Sequence, residues 1–287
     1  QLNFMKKILI TGGKGQLAKT FKSIETNYTS FKFVIRSKQD LDITNYESLA
    51  DEILQNNYDF IINCAAYTDV NKAEEFKDRA ISVNSNSVKY ILELINDTNC
   101  KLIQFSSDYV FDGSKETEYS ETDKVNPVNN YGYSKYLAEK HIINSTSQST
   151  IIRTSWLFSE FNSNFVKKII DLSKDQKQIN VTNKEIGCPT YTLDLANFCM
   201  TLCEKNSYWK SEIFNYSNSG FTSRFKMAKK IQNILNFSCK ILNSERETNT
   251  DVLRPFNSRL SLNKIKSRFD IVPRDWEEAL EICIKKI

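Results

Sequence analysis

One histidine in 287 residues, His141, is too few for the chemistry that most often uses this side chain. It lies in the helical stretch YSKYLAEKH, where a lone histidine is usually surface. Its isolation argues against metal–histidine sites and against Ser-His-Asp or Cys-His catalysis, so acid–base work must fall to other groups. Paired cysteines are missing too. The seven, at 64, 100, 188, 199, 203, 239 and 283, form no C-x-x-C; Cys199 and Cys203 sit one helical turn apart, but no histidine or second pair completes a zinc site. They read as reduced, mostly buried thiols of a cytosolic protein. No apolar run approaches the ~20 residues that span a bilayer, and no secretory signal is visible, so a soluble, cytoplasmic chain with no membrane partner is expected. Basic and acidic residues number 39 and 35 and are scattered, a net charge of +4 that describes a solvated surface. Without a basic stripe or an aromatic-rich RNA motif, no nucleic-acid partner is expected.

What is present is an alternation of strands and helices. Apolar residues at 40 % and charged residues at 26 % suit a globular protein, and the length allows one large domain with a smaller lobe. Gln1 to Phe4 read as a leftover or a short arm outside the fold. Strands are predicted at Lys6–Thr11, Phe31–Ile35, Asp59–Ala65, Lys101–Ser107 and Ser149–Ser155. Helices are predicted at Gln16–Thr26, Asn45–Asn56, Lys72–Asn96 and Tyr131–Asn144. Such alternation implies right-handed crossovers and a doubly wound, Rossmann-type α/β fold with a parallel sheet. Ligands of that architecture bind beyond the carboxyl ends of the strands. A Rossmann-type core is expected over 5–155. The remainder, 156–287, with a short strand at Glu212–Asn218, is expected to complete the sheet and build a smaller C-terminal substrate-binding lobe across an interleaved boundary.

TGGKGQLA, Thr11 to Ala18, joins the first strand to its helix. Gly12 permits a tight turn, and Gly15 lets a pyrophosphate approach the helix N-terminus, where free N–H groups favour anions. The spacing G-x-x-G-x-x-A departs from the G-x-G-x-x-G fingerprint, and a ligand-free glycine turn remains an alternative. Arg36 follows the second strand, where a dinucleotide presents its adenosine ribose; an arginine there leans toward NADPH over NADH, unless it merely caps the strand.

Tyr131 and Lys135 have the spacing Y-x-x-x-K, which on a helix places them on one face. A neighbouring ammonium lowers a phenol's pKa, so Tyr131 could protonate a carbonyl oxygen as hydride arrives, with Lys135 tuning it and holding a ribose. Ser106, Ser107 and Asp108 end the fourth strand. Ser107 could bind the carbonyl beside Tyr131, although either serine alone also reads as a strand-end turn or cap. The three residues in this order supply a polarised carbonyl and a proton donor without a metal.

From Met5 to its end the chain resembles the dTDP-4-dehydrorhamnose reductase family of extended short-chain dehydrogenases. The resemblance rests on TGGKGQLA, DLDITN, NCAAYTDVNKAE, SSDYVFDG, YGYSKYLAEK, RTSWLF, GCPTYTLDLA and RPFNSRL occurring in this order. It implies an NADPH- or NADH-dependent oxidoreductase that reduces dTDP-4-dehydro-L-rhamnose to dTDP-L-rhamnose for surface polysaccharide. It also implies that Gly15, Gln16 and Leu17 line the dinucleotide phosphates, and that Arg36 sets ribose selectivity. Asp42 and Ile43 would lie near adenine, and Ala65, Ala66, Tyr67 and Thr68 would border the cofactor. Ser107, Tyr131 and Lys135 match the catalytic residues. Asp108, Tyr109 and Trp156 would flank the sugar, Pro189 and Thr190 would shape its pocket, and Arg254 would face the nucleotide's phosphates. Ser107 stands where threonine is usual, and Phe105 where a tyrosine contacts cofactor. The family commonly forms homodimers and can hold Mg²⁺ on interface acids, but no residue here is assigned to either. Two other readings stay open: a non-enzymatic dinucleotide-binding regulatory subunit, and a reductase or epimerase of another nucleotide sugar. A dehydratase is disfavoured because Asp108 lacks a second acid beside it.

Overall fold

A computed structural model describes residues 5–205, 209–244 and 252–287; the presumed arm at 1–4 lies outside the described residues. In chain order the first half forms β1 (Lys6–Ile10), α1 (Gln16–Ile24), β2 (Phe31–Ile35), α2 (Tyr46–Asn56), β3 (Phe60–Asn63), α3 (Val70–Glu75), α4 (Lys77–Ile81), α5 (Ser87–Ile95), β4 (Lys101–Ser107), α6 (Asn130–Ile143) and β5 (Ser149–Thr154). Then come β6 (Leu157–Phe158), α7 (Phe165–Asp175), β7 (Gln178–Thr182), β8 (Ile186–Gly187), β9 (Thr190–Tyr191), α8 (Thr192–Lys205), β10 (Lys210–Asn215), β11 (Thr222–Ser223), α9 (Arg224–Leu235), β12 (Lys240–Ser244), α10 (Asn263–Phe269) and α11 (Trp276–Ile284).

Six strands form one parallel sheet in the order β10-β5-β4-β3-β1-β2. Alternate side chains feed its two faces, as the period of a strand requires. Ile8 and Ile10 join α1 and α8 in one core, where Phe21, Phe198 and Cys199 pack. Leu9, Ile61, Leu102 and Ile151 join α2, α5 and α6 in the other. Burying each such side chain contributes about 1.5–3 kcal/mol. Because the strands are parallel, Gly12, Ala65, Ser107 and Ser155 all emerge at the carboxyl edge. The strand order reverses between β1 and β3, which opens a crevice at that edge.

Residues after 155 contribute both to this sheet, through β10, and to a third core. There Val166, Ile179, Ile231, Ile241 and Leu280 gather around the β7–β12 pair, with Trp156 at the margin. The expected strand Glu212–Asn218 begins and ends earlier, at Lys210–Asn215. Asn218 has left the ladder to accept a hydrogen bond from the Tyr191 amide (2.7 Å) and donate one to Asp194 (2.7 Å).

The single helix expected over 72–96 is broken. Phe76 leaves helical geometry at φ −113°, ψ 51°, and a π-turn spans Ser82–Asn86. The wider turn carries the buried Asn84 side chain to the Tyr67 backbone, accepting from its N–H (2.8 Å) and donating to its carbonyl (3.0 Å). Asn84 also donates to Ser134 of α6 (2.9 Å). Such bulges mark places where a side chain must be re-aimed. All seven cysteines are free thiols, six of them buried. Among the described residues no helix is long and apolar enough to cross a membrane, and no three His, Cys, Asp or Glu side chains cluster as metal ligands.

Candidate active site

Gly12 has φ +69°, and a Cβ there would lie 2.7 Å from the Ala65 amide nitrogen, so both its conformation and its surroundings demand glycine. The Gly15 amide closes the turn on the Gly12 carbonyl (2.7 Å), and the Gly13 amide ties it to the Arg36 carbonyl (2.8 Å). No side chain caps α1. Its leading N–H groups therefore suit an anion. Gln16 reaches sideways, accepting from Ser159 (3.0 Å), and Leu17 is buried in the core.

At the end of β2, Arg36 is held by Glu52 through two hydrogen bonds, Nε to Oε2 and Nη2 to Oε1, both 3.1 Å. Tyr58 donates its hydroxyl to the same carboxylate. Asp42 accepts from the Thr44 amide (3.0 Å) and hydroxyl (2.7 Å), which hold its carboxyl below the ordinary range, and Ile43 points into the core.

A buried polar chain crosses the carboxyl edge. The Thr11 hydroxyl accepts from the Ala65 amide (3.2 Å) and donates to Asn63 (2.5 Å). Asn63 donates to Gln104 (2.8 Å), and Gln104 to the Phe105 carbonyl (3.0 Å). The same carbonyl accepts from Lys135 Nζ at 3.3 Å. Ala66 and Thr68 continue the β3 loop, whose Tyr67 backbone Asn84 clamps and whose Tyr67 ring lies 5.9 Å from the Arg79 guanidinium.

Tyr131 and Lys135 stand one turn apart on α6. Asn129 caps this helix, accepting from the Gly132 amide (2.8 Å) and donating to the Leu253 carbonyl (2.9 Å). Gly132 lets α6 meet the backbone after β4, because a Cβ would fall 2.0 Å from the Tyr109 carbonyl oxygen. Behind the helix, Arg153 and Glu139 form a fully buried two-pronged ion pair (2.8 and 2.7 Å) that fixes α6 to β5. Burial pushes the Lys135 ammonium down to about 8, with Cys64 and Glu139 acting the other way. Burial raises the Tyr131 phenol well above its ordinary value; the Ser107 hydroxyl pulls it down, and Asp108 and Tyr109 push it up. Lys135, one turn from Tyr131, turns its ammonium toward the Phe105 carbonyl.

Ser107 Oγ accepts from the Tyr109 amide (3.1 Å) and donates to Asp108 (2.9 Å). Burial raises Asp108 to about 6, while the nearby Ser258 and Ser107 hydroxyls pull it down. Tyr109 meets the Tyr131 ring edge-on, centroids 5.6 Å apart, and burial lifts its phenol to about 12. Trp156 is 8 % exposed and adopts φ +46°, a strained value for so bulky a residue. Its carbonyl accepts from the buried Thr190 amide (3.2 Å), and Pro189 is buried beside it. Arg254 donates through Nη2 to Asn71 (3.2 Å), and its buried Nε has no partner.

Ser107, Asp108, Tyr109, Tyr131 and Trp156 thus gather at the carboxyl edge with Arg254, whereas Arg36, Asp42 and Ile43 lie at the far end, beyond β2. The sequence reading passed over Asn84, Gln104, Asn129, Gly132 and Arg224. Asn84 left a trace in SVNSNS, a poor helical run, and Asn129 in its position before a helix. The other three become visible only once the chain is folded.

The model of the family described as the RmlD substrate binding domain matches residues 5–287. A dTDP-4-dehydrorhamnose reductase of Aggregatibacter actinomycetemcomitans is 34 % identical, over 96 % of this chain and 98 % of the relative. The spore coat polysaccharide biosynthesis protein SpsK of Bacillus subtilis is 32 % identical, over 96 % of each. The crystal structure of a dTDP-4-dehydrorhamnose reductase from Bacillus anthracis in complex with NADP superposes with a TM-score of 0.93, at 32 % identity, over 98 % of this chain and 99 % of that one.

Proposed function

The chain belongs to the RmlD substrate binding domain family, and from that premise we propose that it reduces dTDP-4-dehydro-L-rhamnose to dTDP-L-rhamnose in the cytoplasm, supplying a precursor of surface polysaccharide. It is an NAD(P)H-dependent oxidoreductase with a Rossmann-type fold. The observation that carries the proposal is the convergence of Ser107, Tyr131 and Lys135 at the sheet edge that also holds the Gly12–Gly15 turn.

The residues fit a dinucleotide. The uncapped start of α1 offers N–H groups to its phosphates, the glycines leave the backbone bare, and Ala65, Ala66, Tyr67 and Thr68 border the crevice between β1 and β3. A reduced dinucleotide held there would supply the hydride that the carbonyl carbon needs. Ser107, turning its hydroxyl from Asp108 to the substrate, donates a hydrogen bond to the carbonyl oxygen. Tyr131, kept protonated at neutral pH by burial, hands its phenolic proton to that oxygen, so the ketone becomes an alcohol. Lys135, anchored on the Phe105 carbonyl, has two further N–H donors for the nicotinamide ribose. Asp108 and Tyr109 flank the sugar, Pro189 and Thr190 back its pocket, and Arg254 faces the phosphates.

The test is NADPH oxidation across a panel of nucleotide-linked 4-keto sugars. The dTDP-4-dehydro-L-rhamnose reaction should be fastest and yield the rhamnosyl nucleotide. Dinucleotide binding without turnover of any member would turn the reading to a regulatory subunit.

A further inference from the structure

Arg224 opens α9 directly after β11. β11 pairs antiparallel with β8, Ser223 opposite Ile186. On the other side of β8, Asn257 forms a parallel bridge to Ile186, whose amide donates to the Phe256 carbonyl (2.8 Å). The segments bearing Arg224 and Arg254 therefore flank β8 and bring both residues to its Glu185 end. The Arg224 guanidinium lies 3.7 Å from the Trp156 ring centroid and 4.9 Å from that of Phe165. Gly187 packs against the same indole so closely that a Cβ would come within 2.6 Å of it.

Two consequences follow. A pyranose could not lie on the face that Arg224 covers without displacing the guanidinium, so Trp156 is a platform for Arg224. The donors of that guanidinium are also unspent: among the described residues Arg224 makes no hydrogen bond and no ion pair within salt-bridge distance, and Arg254 keeps its buried Nε unpartnered. Tyr109, Glu185 and Asp108 act on Arg224 only across a gap, and Arg254 repels it. Two planar cations brought to one end of β8 and close enough to repel, each with free N–H groups, complement two linked phosphates, which offer paired acceptor oxygens and the charge that relieves the repulsion. We infer that Arg224, seated on Trp156, grips the diphosphate of the nucleotide sugar together with Arg254. This rests on the nucleotide-sugar reading above.

The experiment is calorimetric titration of the full chain and of Arg224→Met with dTDP, with thymidine and with NADPH, at two salt concentrations. The Met variant should bind dTDP at least about tenfold more weakly, as for a lost charge-assisted hydrogen bond, and with a shallower salt dependence. Its thermal transition and its affinities for NADPH and thymidine should match the parent. Arg224→Lys, which keeps the charge but loses the planar fork, should also bind dTDP more weakly and serves if the Met variant fails to fold. Parental dTDP affinity in either folded variant overturns the inference alone. A parent with no dTDP affinity overturns the nucleotide-sugar reading and this inference with it.

Discussion

Glu52 holds the Arg36 guanidinium by two near-parallel hydrogen bonds while also accepting the Tyr58 hydroxyl. The arginine expected to meet a 2′-phosphate is therefore already shared with a carboxylate, which tempers its attraction for that anion. In Glu52→Gln the ratio of NADH to NADPH dissociation constants should rise by about tenfold, the scale of one charge-assisted contact. Arg36→Ala should collapse the ratio toward unity. Titration of both cofactors against each variant decides it; unchanged ratios in both would mean that Arg36 does not select the cofactor.

Tyr131→Phe removes one hydroxyl and leaves the ring against Tyr109. Folding and NADPH binding should survive, and turnover should fall by at least about 10²-fold, as for a lost general acid. Ser107→Thr should remain active and Ser107→Ala should not. Steady-state NADPH oxidation with a 4-keto nucleotide sugar reads all three. A Tyr131→Phe enzyme as fast as its parent would remove the tyrosine from the chemistry.

Gly132→Ala adds one methyl group where the Tyr109 carbonyl oxygen would be 2.0 Å away. Backbone cannot yield there as a side-chain tip could. The α6 N-terminus must shift, carrying Tyr131 with it, at a cost of about 1–3 kcal/mol or more. Urea denaturation should show the loss of stability, and turnover should drop further than NADPH affinity. A parental melting curve and rate would contradict the packing described.

Burial pushes the Asp108 carboxyl up to about 6 in the folded protein, against 3.8 for an ordinary aspartate. Between those values the folded chain holds a proton that the unfolded chain has released. Stability should therefore decline as pH rises through this window, by up to about 3 kcal/mol, and be unaffected by Asp108 below it. Asp108→Asn should lack this component. Comparing the two proteins by urea denaturation from pH 4 to 7 isolates the term; parallel profiles would mean that Asp108 keeps an ordinary pKa.

The parallel sheet was legible because its strands are short apolar runs such as KKILI and KLIQFSS, and the glycine turn because it must follow the first of them. The edge residues Ser107, Tyr131 and Lys135 were legible for the same reason: strand ends and helix starts fix them locally. Contacts between distant segments were not. Nothing near Arg224 in sequence points to Trp156, 68 positions earlier, and nothing near Glu52 points to Arg36. Lys135 shows the limit of spacing: its place on α6 was readable, but the Phe105 carbonyl that takes its ammonium was not.

The sheet's last strand has a bearing on biosynthesis. β10 pairs with β5, yet 55 residues separate Thr154 from Lys210. At roughly 5–20 residues per second, a ribosome needs about 3–12 s to travel from the end of one strand to the end of the other. Throughout that interval the Ile151–Ile152 flank of a nascent chain lacks its neighbour and presents open amides and carbonyls, the kind of border on which strands of other chains can add. Slow codons within 156–209 would lengthen this exposure, and a holdase on the emerging chain would matter most there.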